Sequence, residues 1–157
     1  MHLEATLGEY LHDEHRRYDL YLKALALAPE GQEKALVAIV GNDPDQSMSE
    51  SVLVKYVDRV AGSRSSISFR DWIESMGEIL PRVGFVRRRV EEWLTYKELM
   101  DGDDVPAIRY LGGSDWLQRK LSAEALSPEV ISELALHGRT KRIRNVAKRR
   151  APDLGSE

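Results

Sequence analysis

No cysteine occurs among the 157 residues. Disulfides, thiolate nucleophiles and cysteine-ligated metal sites are therefore excluded, and a cytoplasmic location is the simplest reading. Histidine is nearly as scarce: there are four, and His137 is the only one beyond position 15. A histidine-based triad has little to draw on. The Gly-x-Ser-x-Gly elbow, the Walker loop and the dinucleotide fingerprint are all missing. No apolar run approaches the roughly 20 residues that span a bilayer, so no membrane partner is expected. The N-terminus, MHLEATLGEY, is acidic and amphipathic, unlike a secretory signal. Alternation of apolar and polar residues over strand length is missing too, which predicts essentially no sheet.

What the chain does contain is helical periodicity with helix punctuation. Leu3, Leu7, Leu11, Tyr18, Leu22 and Leu25 predict one long helix over 3–28, broken at Pro29 and Gly31. A short apolar helix follows over 33–40, with a turn at Gly41-Asn42-Asp43-Pro44. Ser47-Met48-Ser49-Glu50 reads as a capping box opening a helix that buries Val52, Leu53, Tyr56, Val57 and Val60 and stops at Gly62. Ser68 and Asp71 read as a second box, with Ile67 stapled onto Trp72, and that helix is expected to run to Pro81. The next helix turns Val83, Val86, Val90, Trp93 and Leu94 inward. A short helix is expected over 105–111, then a Gly112-Gly113 break and a Ser114 cap. Trp72, Trp93 and Trp116 all fall at apolar positions, where core packing is the default and an interface anchor is the alternative for any one of them. The expected fold is all-α: a compact helical-repeat solenoid or an irregular bundle of seven to eight helices. It forms one domain over 1–152, with 153–157 as a frayed tail.

The most specific stretch is 126–152. Ser127-Pro128-Glu129 is a strong helix start, with a serine cap, proline in the first turn and an acid beside it. Val130, Ile131, Leu134 and Ala135 give the helix one apolar face. Gly138 stands where the helix should stop and is read as a left-handed C-terminal cap. A second helix from about Thr140 sets Ile143, Val146 and Ala147 on one face and Lys141, Arg142, Arg144, Lys148 and Arg149 on the other. Pro152 is expected to end it. Such a pair cannot bury its apolar face alone.

At Pro128, Val130, Leu134, Ala135, Ile143, Arg144, Val146, Ala147 and Pro152, this stretch resembles the leucine-rich-repeat-variant and HEAT-like helical repeats. A more divergent copy begins at Trp116, so the resemblance covers about 116–152. His137-Gly138-Arg139-Thr140 stands where the family usually has an Asp-Pro turn. The resemblance implies an α-solenoid that serves as a scaffold for protein or nucleic acid.

Charge is unevenly distributed along the chain. Residues 1–62 hold 6 basic and 11 acidic side chains, a balance of −5; residues 113–157 hold 9 and 6, a balance of +3. Within 137–150 there are seven cations and no acid. Arg139, Lys141, Arg142, Arg144, Lys148 and Arg149 are therefore candidate binding residues, and Arg82, Arg87, Arg88 and Arg89 form a second basic surface. His12-Asp13-Glu14-His15, with Glu9, has too few ligands for a metal site and reads as a solvated face. Asp101, Asp103 and Asp104 lack the spacing of a calcium loop. No metal and no cofactor is expected.

With no nucleophile, base or metal in a catalytic arrangement, the chain reads as a non-enzyme. The expected function is an interaction module that binds an acidic protein through its helix faces and the basic C-terminal helix. Nucleic-acid binding by the same helix is the alternative. The charge gradient also predicts self-association.

Overall fold

The computed structural model describes residues 13–82 and 84–154. Among these residues the chain forms nine α-helices, one short 3₁₀ turn and no strand, so the all-α expectation is met. No described helix is long and apolar enough to cross a membrane. The chain forms two compact units, one ending at Arg89 and one starting at Val90.

The first unit holds α1 (Glu14–Ala26), α2 (Glu33–Gly41), α3 (Gln46–Gly62), α4 (Ser66–Met76), a 3₁₀ turn (Gly77–Ile79) and the start of α5 (Gly84–Met100). Helix α3 packs against both α1 and α2. Val52, Leu53, Tyr56, Val57 and Val60 are buried on it, as their spacing predicts. The expected stripe at Leu3, Leu7 and Leu11 lies outside the described residues, as does Val83.

Several helix starts and stops differ from the sequence reading. Asp45, not Ser47, caps α3: its carboxylate accepts the Met48 N–H at 3.1 Å. The helix therefore opens at Gln46, ahead of the start a Ser47 cap would give, and Ser47 lies inside its first turn. Ser65 likewise caps α4 through the Ser68 N–H, one turn ahead of the expected box. Ile67 therefore stands in water, 73% exposed, and staples nothing, while Phe69, fully buried, stacks on Trp72. Helix α4 ends at Met76 rather than near Pro81. Gly77 adopts φ 55°, a left-handed value that turns the chain out of the helix.

Two carboxylates, buried Asp43 and half-buried Glu33, carry polar connections in this unit. Asp43, 7% exposed, accepts from Tyr21 Oη at 2.7 Å, Arg17 Nε at 3.1 Å and the Asp45 N–H at 2.9 Å. Burial pushes its carboxyl upward. The Tyr21 hydroxyl, the Asp45 amide and Arg17 together outweigh burial and hold it below the usual carboxylate range. Glu33 accepts from both the Tyr56 hydroxyl and Trp72 Nε1, joining α2 to α3 and α4.

The second unit holds the rest of α5, then α6 (Ala107–Leu111), α7 (Asp115–Glu124), α8 (Pro128–His137) and α9 (Lys141–Leu154). Its core joins Tyr110, Leu117, Leu121, Ile131, Leu134, Ile143 and Ala147. Leu134 and Leu121 are 0% exposed. Each contributes roughly 1.5–3 kcal/mol relative to remaining in water. Helix α8 starts as its sequence predicts, with Ser127 accepting the Val130 N–H. Helix α9 continues through Pro152 to Leu154 instead of stopping at the proline.

Candidate interaction surface

The surface begins at the turn between α8 and α9. Gly138 closes α8, yet its φ is −54°, so left-handed geometry is not what requires glycine there. Close approach is what requires it. A Cβ at this position would lie 2.6 Å from the Leu134 carbonyl oxygen and 2.7 Å from Ile143 Cγ2. Thr140 then caps α9 through the Ile143 N–H at 3.2 Å. Ile143 and Ala147 are buried and Val146 is half-buried, so the expected apolar face is the one that packs. It packs against α8 and α7.

The opposite arc of α9 carries Lys141, Arg142, Asn145, Lys148 and Arg149, all exposed. Lys141, Arg142 and Lys148 have no hydrogen bond or ion pair among the described residues. Arg149 reaches back only to its own helix, donating from Nε to the Asn145 carbonyl at 3.3 Å. Asn145 sits at the centre of this arc by helical spacing.

The remaining cations of the stretch serve the fold. Arg144 does not point into solvent as its spacing suggested: it is half-buried and donates to the Gly138 carbonyl at 2.7 Å. Arg139 donates from its guanidinium to the Gly113 carbonyl at 2.8 Å, and its Nε lies 3.5 Å from Asp115. Arg150 donates to the Ser122 and Ala125 carbonyls at 3.0 and 2.7 Å, satisfying the end of α7. Behind them lies Gln118, 0% exposed. Its amide nitrogen donates to the Tyr110 and Leu111 carbonyls, and its oxygen accepts the Arg139 N–H at 2.8 Å. Nothing in the sequence around Gln118 marks it, because its partners lie seven to 21 residues away.

The second basic cluster is divided rather than displayed. Arg82 pairs with Glu78. Arg87 donates to the Pro81 carbonyl at 2.8 Å. Arg89 binds both oxygens of Asp58 at 2.8 and 3.0 Å. Arg87 and Arg89 are half-buried rather than exposed, and Arg88 is exposed.

Other sequence candidates resolve as follows. The Gly112 and Gly113 amides are spent on the Ile108 and Tyr110 carbonyls, and the group that meets an internal carboxylate is the Ser114 cap beyond them. Glu92, 7% exposed, accepts from the Ser114 N–H at 3.2 Å and the Ser114 hydroxyl at 2.7 Å. Asp101, Asp103 and Asp104 are exposed in a turn where Gly102 takes φ 85°. Among the described residues no three His, Asp or Glu side chains come together to hold a metal ion. Glu9 and His12 lie outside the described residues; His15 is exposed.

Of the tryptophans, Trp72 and Trp93 are core residues, at 3% and 6% exposure, whereas Trp116 is only half-buried. Its ring lies 5.2 Å from that of Trp93. Lys97 and Lys120 place their ammonium groups 5.5 and 5.0 Å from the Trp93 ring. Burial lowers the Lys97 pKa; Asp101 draws it back up and neighbouring Lys120 pushes it further down. An open cleft of about 450 Å³ borders Trp116, Arg119 and Lys120. Helical spacing alone had placed this tryptophan in the core and given no role to the two cations beside it. In comparisons with known proteins, the chain matches no family model, no curated protein and no solved structure.

Proposed function

We propose that the protein is a non-catalytic helical interaction module and that the outer arc of α9 docks an acidic protein. The HEAT-like character of the α8–α9 pair belongs to the same proposal: a helix pair buries its apolar faces internally and offers its outer face to a partner. The observation that carries the reading is the division of labour among the cations of 139–150. Arg139, Arg144 and Arg150 bind backbone carbonyls. Lys141, Arg142 and Lys148 bind nothing among the described residues. Lys141 and Arg142 also stand in the first turn of their helix, where the macrodipole disfavours positive charge. Cations kept at an unfavourable end, exposed and unneutralised, fit recognition of an opposite charge better than they fit stability.

Asn145 within the arc gives the nucleic-acid alternative one specific support, since asparagine pairs with adenine edges. The triple charge reversal K141E/R142E/K148E separates the two readings, and fluorescence anisotropy is the measurement. The native protein is expected to bind a labelled glutamate-rich peptide at low salt, and the variant to lose that binding while keeping its circular dichroism. If a DNA duplex binds instead, with a log–log salt slope of about −3 to −5, the partner is nucleic acid and the proposal fails.

A further inference from the structure

We infer that the docking surface for the acidic partner continues from α9 onto α7 and ends at Trp116, where an aromatic side chain of that partner seats. The inference rests on the reading of the α9 arc as an acidic-partner site and adds to it an anchor and a direction.

The ridge that joins the two places is visible in the ion pairs. Asp115 lies between two guanidinium groups, 3.5 Å from Arg139 Nε and 3.8 Å from Arg119. The side chains of Asp115, Arg139 and Arg119 are 44%, 48% and 62% exposed. Cationic surface therefore runs from the start of α9, past Arg139, to the outer edge of α7. One carboxylate against two guanidiniums leaves the ridge positive.

At the end of the ridge stands the half-exposed Trp116, one residue beyond Asp115. Trp93 backs it with a buried ring, so the exposed indole is firmly held. The indole borders the cleft shared with Arg119 and Lys120. Lys120 is already paired to Glu124 at 2.9 Å, so it contributes its aliphatic stem as a wall more than a free charge. An indole with two aliphatic stems around it suits an incoming aromatic ring, which prefers an edge-to-face or offset approach. Tryptophan and arginine are also the residue types that carry most binding energy at protein interfaces.

Asp115 in the ridge and Glu124, paired to Lys120 beside the cleft, decide between occupants. Asp115 and Glu124 would repel a nucleic-acid backbone, which brings about one charge per 1.7 Å of duplex and cannot leave gaps. An extended peptide can place its acids about 7 Å apart, at alternate residues, and straddle Asp115. The partner that fits is thus an acidic peptide segment with one aromatic residue: acids against Lys141, Arg142 and Arg119, the ring against Trp116.

Two labelled peptides test this, one glutamate-rich with a single central phenylalanine and one with alanine in its place. The native protein should bind the phenylalanine peptide roughly five- to tenfold more tightly, the increment of one aromatic pair. W116A should remove that preference, so that the two peptides bind it with equal affinity. R119E, at an exposed position, should weaken both peptides and tests the ridge even if W116A fails to fold. Equal affinity of the native protein for both peptides overturns the anchor while leaving the α9 arc intact. Binding of neither peptide overturns both readings. A phenylalanine preference that survives W116A, or R119E binding both peptides as the native protein does, overturns the extension onto α7. Oligodeoxythymidylate binding that is lost in W116A and exceeds peptide binding overturns the choice of occupant.

Discussion

Residues 82–89 and 139–150 carry similar arginine-rich runs but use them differently. In the first, Arg82, Arg87 and Arg89 are taken by Glu78, a backbone carbonyl and Asp58. In the second, three cations are structural and Lys141, Arg142 and Lys148 are left over. The contrast shows that a run of basic residues does not define a basic surface. What decides is whether a carboxylate or a bare carbonyl lies within reach. Asp58 is 31 residues from Arg89, so no local inspection finds it.

The comparison can be broken at three depths. The largest effect is expected where the display of α9 depends on its packing. Leu134→Ala should cost about 2–5 kcal/mol in urea unfolding, since the site is fully buried and closely packed. A loss under about 0.5 kcal/mol would place Leu134 at the surface and dissolve the α8–α9 unit. An intermediate effect is expected at the divided cluster. Asp58→Ala leaves the Arg89 guanidinium, 19% exposed, without its bidentate partner, and about 1–3 kcal/mol should be lost. The smallest effect belongs to the displayed cations. Lys148→Ala should move stability by less than about 0.5 kcal/mol. If Asp58→Ala and Lys148→Ala prove equally mild, the two basic runs are equivalent and the distinction drawn between them is wrong.

Much of the fold was legible because helices carry their information locally. The Ser127-Pro128 start, the Leu134 and Ile143 faces and the Ser114 cap all follow from spacings within a few residues. Caps went astray at Ser47 and Ser68 because two good candidates stood within one turn, and a plausible box does not reveal that Asp45 or Ser65 reaches the amides first. The candidate surface was legible only in outline. Its cations could be counted, but Arg144 and Arg139 could not be assigned to the Gly138 and Gly113 carbonyls without the fold. Gln118, Glu92 and Asp43 were missed as buried polar residues. Their partners are distant in sequence, and a lone glutamine or acid in a helix normally faces water. Trp116 packs against the core but is only half-buried, since helical periodicity marks an apolar position without saying how far neighbours cover it.

The hydrogen bond from the Arg139 amide to Gln118 has a consequence for association. It ties the backbone at the entry to α9 to the core, and Gly138 packs closely against Leu134 and Ile143 in the same turn. The first turn of the helix, with Lys141 and Arg142, is therefore anchored to the core before any partner arrives. Ordering loose segments commonly consumes a large share of the free energy gained on contact. Here the helical, anchored backbone has less entropy to lose than a loose segment, and the cost falls mainly on the long side chains. A rigid backbone under mobile charged tips can accommodate acidic segments of varied spacing at little cost in affinity.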